Sequence, residues 1–201
     1  NTAFLTLAIR EGLTMAIANP SQELLVSCAF ATDLLLAKEE ADLRYIEYAN
    51  QVKENDLSAL TGEELLGLVN QVYEKSGLEF PMLETTELPL EDVEMLTYHI
   101  GLTSTEGVKN VIVSMPMMNA QAYTFALVQT EKGADIEKIK QDIFDHVDPR
   151  KWVCVTAEKV MVTNSNSVIC LIMAGSEQTE TLANALAEVT GNTLGNKLEK
   201  N

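Results

Sequence analysis

The residues best suited to chemistry lie in one short stretch, Asp148-Pro149-Arg150-Lys151-Trp152. Two adjacent cationic side chains beside an aromatic ring are a combination that binds a carboxylate or phosphate, with the ring as a stacking platform. The commoner explanation of such a pattern is structural: the bases complement the negative end of a preceding helix, and the Trp enters the core. Arg150, Lys151 and Trp152 therefore form an anion-binding candidate with a structural alternative.

No catalytic group or metal site is predicted. His146 and Asp148 could exchange a proton in principle, but two residues apart on a helix they point in different directions. The chain has only two histidines, too few for a histidine-rich metal site. The acidic segment from Lys53 to Glu106 lacks the ligand spacing and turn glycine of a calcium loop, and we interpret it as a solvated surface.

The cysteines argue against a disulfide framework. Cys28, Cys154 and Cys170 are odd in number and far apart, which permits a reducing compartment. Cys154 and Cys170 both lie in apolar, strand-like runs, a setting that favours buried free thiols. A single bridge between these two remains an open alternative at the level of sequence.

The charge of the chain bears on its partners. Fourteen Lys and Arg face thirty Asp and Glu, for a formal charge of −16, which would repel phosphate backbones and anionic headgroups. We therefore predict no nucleic-acid partner. No apolar run reaches the length of a membrane span, and no basic segment precedes the apolar start Ala3–Ile9. Because Asn1 stands inside a predicted helix, the chain is expected to be a fragment or a processed protein.

One α+β domain, residues 61–191, is predicted to position the Asp148–Trp152 stretch. A capping box begins its first helix at Thr61, Asp135 caps another, and a last helix ends at Gly191. The order of helix, strand, strand, helix, strands and helix favours an antiparallel sheet with helices covering one face. Residues 51–60 are expected to be a linker and residues 192–201 a frayed tail. The predicted strands are 108–115, 123–130, 151–156, 159–163 and 168–173.

Residues 1–50 follow a different pattern. A helix, the short apolar run Met15–Ala18, the turn Asn19-Pro20 and a second helix are the order found in a parallel α/β barrel. Asn19 would stand at the carboxyl end of the buried strand, the side of a barrel where ligands bind. Its commoner role is to cap the next helix, with Pro20 at the first helical position.

This segment resembles the closing part of the pterin-binding barrel in methyltetrahydrofolate:corrinoid methyltransferases, the folate half-reaction of cobalamin-dependent methionine synthase. The resemblance implies a helix-strand-helix remnant, with Asn19 the one residue on the ligand side. It implies methyltetrahydrofolate and a corrinoid only for a complete barrel, an upstream barrel or a corrinoid protein as partner, and a cytoplasmic location. The matching residues are Phe4-Leu5-Thr6-Leu7-Ala8-Ile9, Glu11-Gly12-Leu13, Met15-Ala16-Ile17-Ala18-Asn19-Pro20 and Tyr45-Ile46.

Residues 80–173 resemble an uncharacterised bacterial domain that is usually carried on secreted or lipid-anchored proteins. That resemblance brings no activity, and it implies an extracytoplasmic alternative if an export signal was removed. The matching blocks are Phe80-Pro81-Met82-Leu83-Glu84-Thr85-Thr86-Glu87, Pro116-Met117-Met118, Lys132-Gly133-Ala134-Asp135-Ile136-Glu137, Val147-Asp148-Pro149-Arg150-Lys151-Trp152-Val153-Cys154-Val155 and Leu171-Ile172-Met173.

Two functions follow from these patterns. The first is a non-catalytic α+β binding or interaction domain, of unknown ligand, joined to the barrel remnant. The alternative is the C-terminal part of a methyltransferase that moves a methyl group from methyltetrahydrofolate to a corrinoid. A barrel needs about 250 residues to close, so the chain alone is expected to be inactive, and its oligomeric state is not indicated.

Overall fold

The computed structural model describes residues 2–12, 23–46, 57–80, 82–117 and 121–201. The chain divides into two compact units, residues 1–54 and 55–201. Each unit is described by itself below.

In the first unit, helices α1 (Thr2–Arg10) and α2 (Glu23–Leu35) lie against each other, and residues 41–46 are helical. The hydroxyl of Thr6 lies 2.7 Å from the Sγ atom of Cys28. The predicted strand and the Asn19-Pro20 turn fall outside the described residues. The barrel remnant therefore stays a prediction.

The second unit is α+β, with a six-stranded sheet in the order β1-β2-β3-β5-β4-β6 in which every neighbouring pair is antiparallel. A short 3-10 helix, Leu57–Ala59, precedes the first long helix. The elements are α3 (Gly62–Ser76), β1 (Leu83–Glu87), α4 (Val93–Ile100), β2 (Val108–Pro116), β3 (Thr124–Thr130), α5 (Ile136–His146), β4 (Lys159–Ser165), β5 (Val168–Ala174), α6 (Ser176–Thr190) and β6 (Leu198–Lys200).

Helices cover both faces of this sheet, so the expectation that they cover one face is wrong. One core joins α4 and α5 to the sheet through residues such as Leu96 and Ile143, and the other joins α3 and α6 through Leu65 and Leu186. The reason lies in the central strands, because β3 and β5 are buried along their whole length and present apolar side chains to both faces. A sheet that is apolar on both faces needs cover on both.

The predicted ends of several helices are confirmed. The Thr61 hydroxyl accepts from the Glu64 N–H while the Glu64 carboxylate accepts from the Thr61 N–H, which completes the capping box at α3. The Asp135 side chain caps α5, and α5 ends at His146, just before Asp148-Pro149. Gly191 ends α6 in the left-handed conformation.

Residues 151–156 do not form the predicted strand. Trp152–Cys154 is a bend, and Cys154 has a φ of 65°. The run resembles a strand because it is apolar, but Trp152 is its only buried residue, Val155 is partly buried against the same core, and Val153 and Cys154 are exposed. Cys170 is buried on β5, and both thiols are free, so the prediction of a buried thiol is wrong for Cys154.

The ends of the second unit are more ordered than the sequence suggested. Leu57 is buried, and the Gln129 side-chain amide donates to the carbonyls of Leu57 and Leu60 at 2.7 and 2.9 Å, so residues 57–60 belong to the core and not to a linker. At the other end, Leu198–Lys200 pairs with β4 where a frayed tail was expected. Both segments are held by partners far away in the sequence, which local composition does not reveal.

Candidate functional site

A cleft of about 620 Å³ opens between two loops and the start of α5. It lies beside the sheet, where the loop before β2 and the loop after β3 meet the helix. Its lining residues are Thr103, Ser104, Glu106, Gly107, Glu131, Lys132, Gly133, Ala134, Asp135, Lys138, Ile139 and Asp142.

Contacts across long sequence separations hold the walls of the cleft together. The backbone N–H and the hydroxyl of Thr103 donate to the two carboxylate oxygens of Asp142 at 2.8 and 2.6 Å. The Glu131 N–H donates to the Gly107 carbonyl at 2.8 Å. Gly107 has a φ of 75°, and a Cβ there would lie 2.9 Å from the Cβ of Ala134, so the two loops touch at the point where a glycine allows it.

Carboxylates outnumber lysines in the cleft. Lys138 pairs with Glu106 at 3.3 Å, and Asp135 is engaged as the cap of α5. Glu131 and Lys132 are exposed, and neither forms an ion pair with another described residue. The lining has no histidine, cysteine or aromatic residue. The cleft is therefore suited to binding a polar ligand and lacks a nucleophile with an adjacent histidine base.

His146 has a different partner from the one considered from sequence. Its Nδ1 lies 3.2 Å from a carboxylate oxygen of Asp142 and 2.8 Å from the Asp142 carbonyl. The i, i+4 spacing on α5 brings these two residues together, whereas Asp148 lies beyond the end of the helix. Since Asp142 also accepts two hydrogen bonds from Thr103, we interpret the arrangement as a support for the cleft wall.

The anion-binding candidate does not converge on one point. Arg150 is exposed, with its Nε 3.4 Å from a carboxylate oxygen of Asp148. Lys151 instead donates from Nζ to the carbonyl of His99 at 2.5 Å, and its Nζ lies 5.0 Å from the centroid of the Trp152 ring. Trp152 is buried in the core that contains α4 and α5. Two cations aimed at different partners do not form a bidentate site for an anion.

Lysines meet the carbonyls at the ends of both helices on this face. Lys151 reaches the last turn of α4, not the end of α5 that immediately precedes it in sequence. The end of α5 is met by Lys200, whose Nζ donates to the carbonyls of Phe144 and Val147 at 2.5 and 3.3 Å. A cation at a helix C-terminus is stabilising. The sequence predicts that residues 150–151 stabilise the C-terminal end of a helix. Which helix Lys151 stabilises depends on the tertiary fold.

The half-buried position of Lys151 makes the stability of this chain dependent on pH. Burial lowers the pKa of Lys151 to about 7, and only the charge of Asp148 opposes this shift. A lysine in the unfolded chain titrates near 10.4, so the unfolded state binds more protons between about pH 7 and about pH 10, and stability must rise with pH through that window. We expect the free energy of unfolding of the wild-type chain to rise from about pH 7 to about pH 9.5 relative to that of Lys151→Met.

Urea unfolding at several pH values measures this difference. Lys132→Met, at an exposed lysine, is the matched control and should run parallel to the wild type. Comparison with these variants removes the contribution of titrating groups that do not interact with Lys151. Burial and the charge of Lys151 both lower the pKa of His99, so His99 titrates below the window from pH 7 to pH 9.5. Parallel curves for wild type and Lys151→Met would show that Lys151 stays fully charged in the folded protein.

Within residues 2–12, 23–46, 57–80, 82–117 and 121–201, no three His, Cys, Asp or Glu side chains are grouped so as to hold a metal ion. Over the same part of the chain, every helix is too short or too polar to cross a bilayer. Asn19, the other residue predicted for binding, lies outside these ranges.

Comparison of the chain with family models, with curated proteins and with solved structures gives no match.

Proposed function

We propose that residues 55–201 form a non-catalytic binding module and that its ligand occupies the cleft between the loops 103–107 and 131–135. The observation that carries the proposal is the set of residues that line the cleft, which includes four carboxylates and two lysines but no histidine, cysteine or aromatic side chain. General acid–base catalysis draws on histidine most often, and nucleophilic catalysis needs a nucleophile activated by an adjacent base. A cavity with convergent polar groups and no nucleophile beside a histidine base is suited to holding a molecule without transforming it.

The charges favour a small cationic ligand. Four carboxylates line the cleft against two lysines, and Lys138 is already paired with Glu106. Asp142 is occupied by its hydrogen bonds to Thr103, which leaves Glu131 as the carboxylate most accessible to an incoming ammonium group. The formal charge of −16 adds long-range attraction for a cation. Because the lining has no aromatic ring, a stacking ligand such as a nucleobase is disfavoured.

Amide chemical shifts of the full, 15N-labelled chain test this proposal. Putrescine and spermidine serve as cationic probes, and phosphate and acetate serve as anionic ones. We expect the diamine and triamine to shift the amides of residues 103–107 and 131–135, and the anions to leave them unchanged. Glu131→Gln should weaken amine binding about two- to fivefold, the range of one exposed ion pair. Glu74→Gln, at an exposed glutamate on α3, is the matched control. Equal shifts with anions, or shifts only elsewhere, would contradict the proposal.

The methyltransferase role is proposed only for a protein that supplies the rest of the barrel. Residues 1–50 would then be its closing segment, methyltetrahydrofolate and a corrinoid protein its ligand and partner, and the cytoplasm its location. The second resemblance supports an extracytoplasmic location instead. Methyltetrahydrofolate belongs in the same titration, where we expect it to cause no shift. Micromolar binding of methyltetrahydrofolate would contradict the expectation that pterin binding needs a complete barrel.

A further inference from the structure

Among the residues that the structure describes, the outer edge of β1 is open. β1 pairs with β2 on one side, and none of the residues that the structure describes pairs with its other side. The hydrogen bonds that flank β1, Met117 N–H to Met82 carbonyl and Leu88 N–H to Val111 carbonyl, are both 2.9 Å and join residues that lie directly opposite each other. Opposite pairs in an antiparallel ladder alternate between bonded and non-bonded.

That alternation decides which backbone groups of β1 are available. Glu84 and Thr86 lie two and four residues after Met82, so they also form hydrogen-bonded pairs with β2. The N–H and C=O groups of Leu83, Thr85 and Glu87 therefore point away from the sheet. The Thr85 hydroxyl donates to the Ser114 hydroxyl at 2.9 Å, consistent with the closer approach of side chains in a non-bonded pair.

Of the usual devices that prevent strand addition, this edge carries only charged side chains, and both charges are acidic. Edge strands are commonly blunted by lysine, proline, a bulge or very short length. The five residues of Leu83–Glu87 include no lysine or proline, and their register with β2 is continuous. The opposite edge is different, because β6 has only three residues. The outer side of β1 can therefore accept another strand.

The side chains around β1 indicate what kind of strand would bind. Glu84 and Glu87 are exposed acids on the strand, in a chain of formal charge −16. At the start of the strand, Met82 and Met117 are joined by a backbone hydrogen bond, and their side chains are 57% and 63% exposed. Methionine side chains adapt to varied apolar surfaces. A basic segment with an apolar residue at one end would match this arrangement.

A second copy of this chain matches the edge less well. If two β1 strands paired antiparallel about Thr85, each Glu87 would lie opposite Leu83 and each Glu84 opposite Thr86, so neither acid would meet a cation. Two chains of charge −16 would also repel each other. We propose that the outer edge of β1 binds an extended, basic segment of another protein by strand addition. This inference does not depend on the ligand of the cleft.

Hydrogen exchange of the full chain, with and without a synthetic peptide, tests the proposal. Glu84 and Glu87 are three residues apart on the strand, so they lie on opposite faces. The probe is therefore a short capped peptide with lysines on both faces and valine at one end, and the same peptide with glutamate in place of lysine is its charge-reversed counterpart. We expect the lysine peptide to slow exchange of the Leu83, Thr85 and Glu87 amides by about tenfold or more. The glutamate peptide should leave their exchange unchanged.

A pair of substitutions at one position isolates the backbone contact. Thr85→Pro removes an N–H that points away from β2, a place where an edge strand tolerates proline. Thr85→Val keeps that N–H and, like proline, loses the hydroxyl contact with Ser114. We expect Thr85→Val to bind the lysine peptide like the wild type and Thr85→Pro to lose binding, with the amides of β2 and β3 protected equally in both variants.

Three results would overturn the proposal. The first is undiminished binding to a Thr85→Pro variant whose β2 and β3 amides remain protected. The second is the absence of protection on β1 with the lysine peptide, or equal protection with the glutamate peptide. The third is protection of the β1 amides that grows with protein concentration alone, together with a dimeric mass, because it would assign the edge to a second copy. If the β2 and β3 amides lose their protection in Thr85→Pro, Glu84→Lys is the variant to use in its place. A Glu84→Lys variant that still prefers the lysine peptide to the same extent as the wild type would also contradict the proposal.

Discussion

Gly101→Ala is expected to lower the free energy of unfolding by about 2–5 kcal/mol, the sum of a left-handed backbone penalty and an overpacking penalty. Gly101 ends α4 with a φ of 78°. A Cβ at this position would lie 2.4 Å from the backbone N of Val147 and 2.6 Å from the carbonyl oxygen of Ile143. Both are backbone atoms at the end of α5, so no side chain can rotate away to relieve the contact.

Gly77→Ala is the matched control for this prediction. Gly77 also follows a helix in the left-handed conformation, with a φ of 64°, but a Cβ there would meet nothing within 4 Å. It should cost only the backbone penalty, about 1–2 kcal/mol. Urea unfolding of the three chains measures both values. Equal losses for the two variants would show that α4 and α5 can separate at little cost.

The second large effect is expected at Lys140. The side chain of Lys140 is fully buried, and its Nζ donates to Glu137 at 2.8 Å, to the side chain of Asn164 at 3.0 Å and to the carbonyl of Asn196 at 2.6 Å. Lys140→Met has a similar length but no donor, so it leaves these oxygens without their cation. Because Glu137 is 62% exposed, its charge stays solvated, and the loss is that of hydrogen bonds from a charged donor, about 1.5–3 kcal/mol.

Lys138→Met is the matched control, because Lys138 lies on the same helix, is exposed and pairs only with Glu106 among acidic residues of the described chain. It should change stability by less than about 1 kcal/mol. Urea unfolding measures the change in stability of both variants, and amide exchange shows which elements are destabilised. Because Lys140 holds the carbonyl of Asn196, we expect exchange of the Leu198–Lys200 amides to accelerate in Lys140→Met before that of β3. Retained protection of β6 would show that its pairing with β4 suffices to hold the C-terminal segment.

Local chemistry in the sequence predicted the start and end of several elements correctly. The capping box at Thr61, the cap at Asp135 and the helix end at Gly191 each involve groups within a few residues of one another. The runs 108–115, 159–163 and 168–173 were predicted as strands because they are rich in β-branched and apolar residues, and the structure places strands there.

Elements whose stability depends on distant partners were missed or placed wrongly. β1 is acidic and polar because it lies at a sheet edge, so its composition resembles that of a loop. β6 has three residues, and only its pairing with β4 makes it a strand. The strand predicted at 151–156 is wrong for the opposite reason. Trp152 is buried in the core, but no described strand pairs with its backbone.

The candidate site likewise depends on contacts between distant residues that the sequence does not reveal. The cleft joins residues 24 to 39 positions apart, such as Gly107 with Glu131 and Thr103 with Asp142, and no sequence motif predicts it. The basic pair at 150–151 can be recognised in the sequence, but its contacts cannot. In the structure Lys151 contacts the end of α4, and Arg150 lies beside Asp148.

By itself, the sequence determined the helix ends and the central strands, because caps, turns and β-branched runs act through neighbouring residues. The tertiary structure alone decided that helices cover both faces of the sheet, that the cleft exists and that no other described strand pairs with the outer side of β1. These features depend on contacts between residues far apart in the chain, whose free energy appears only when the sheet and both cores have formed.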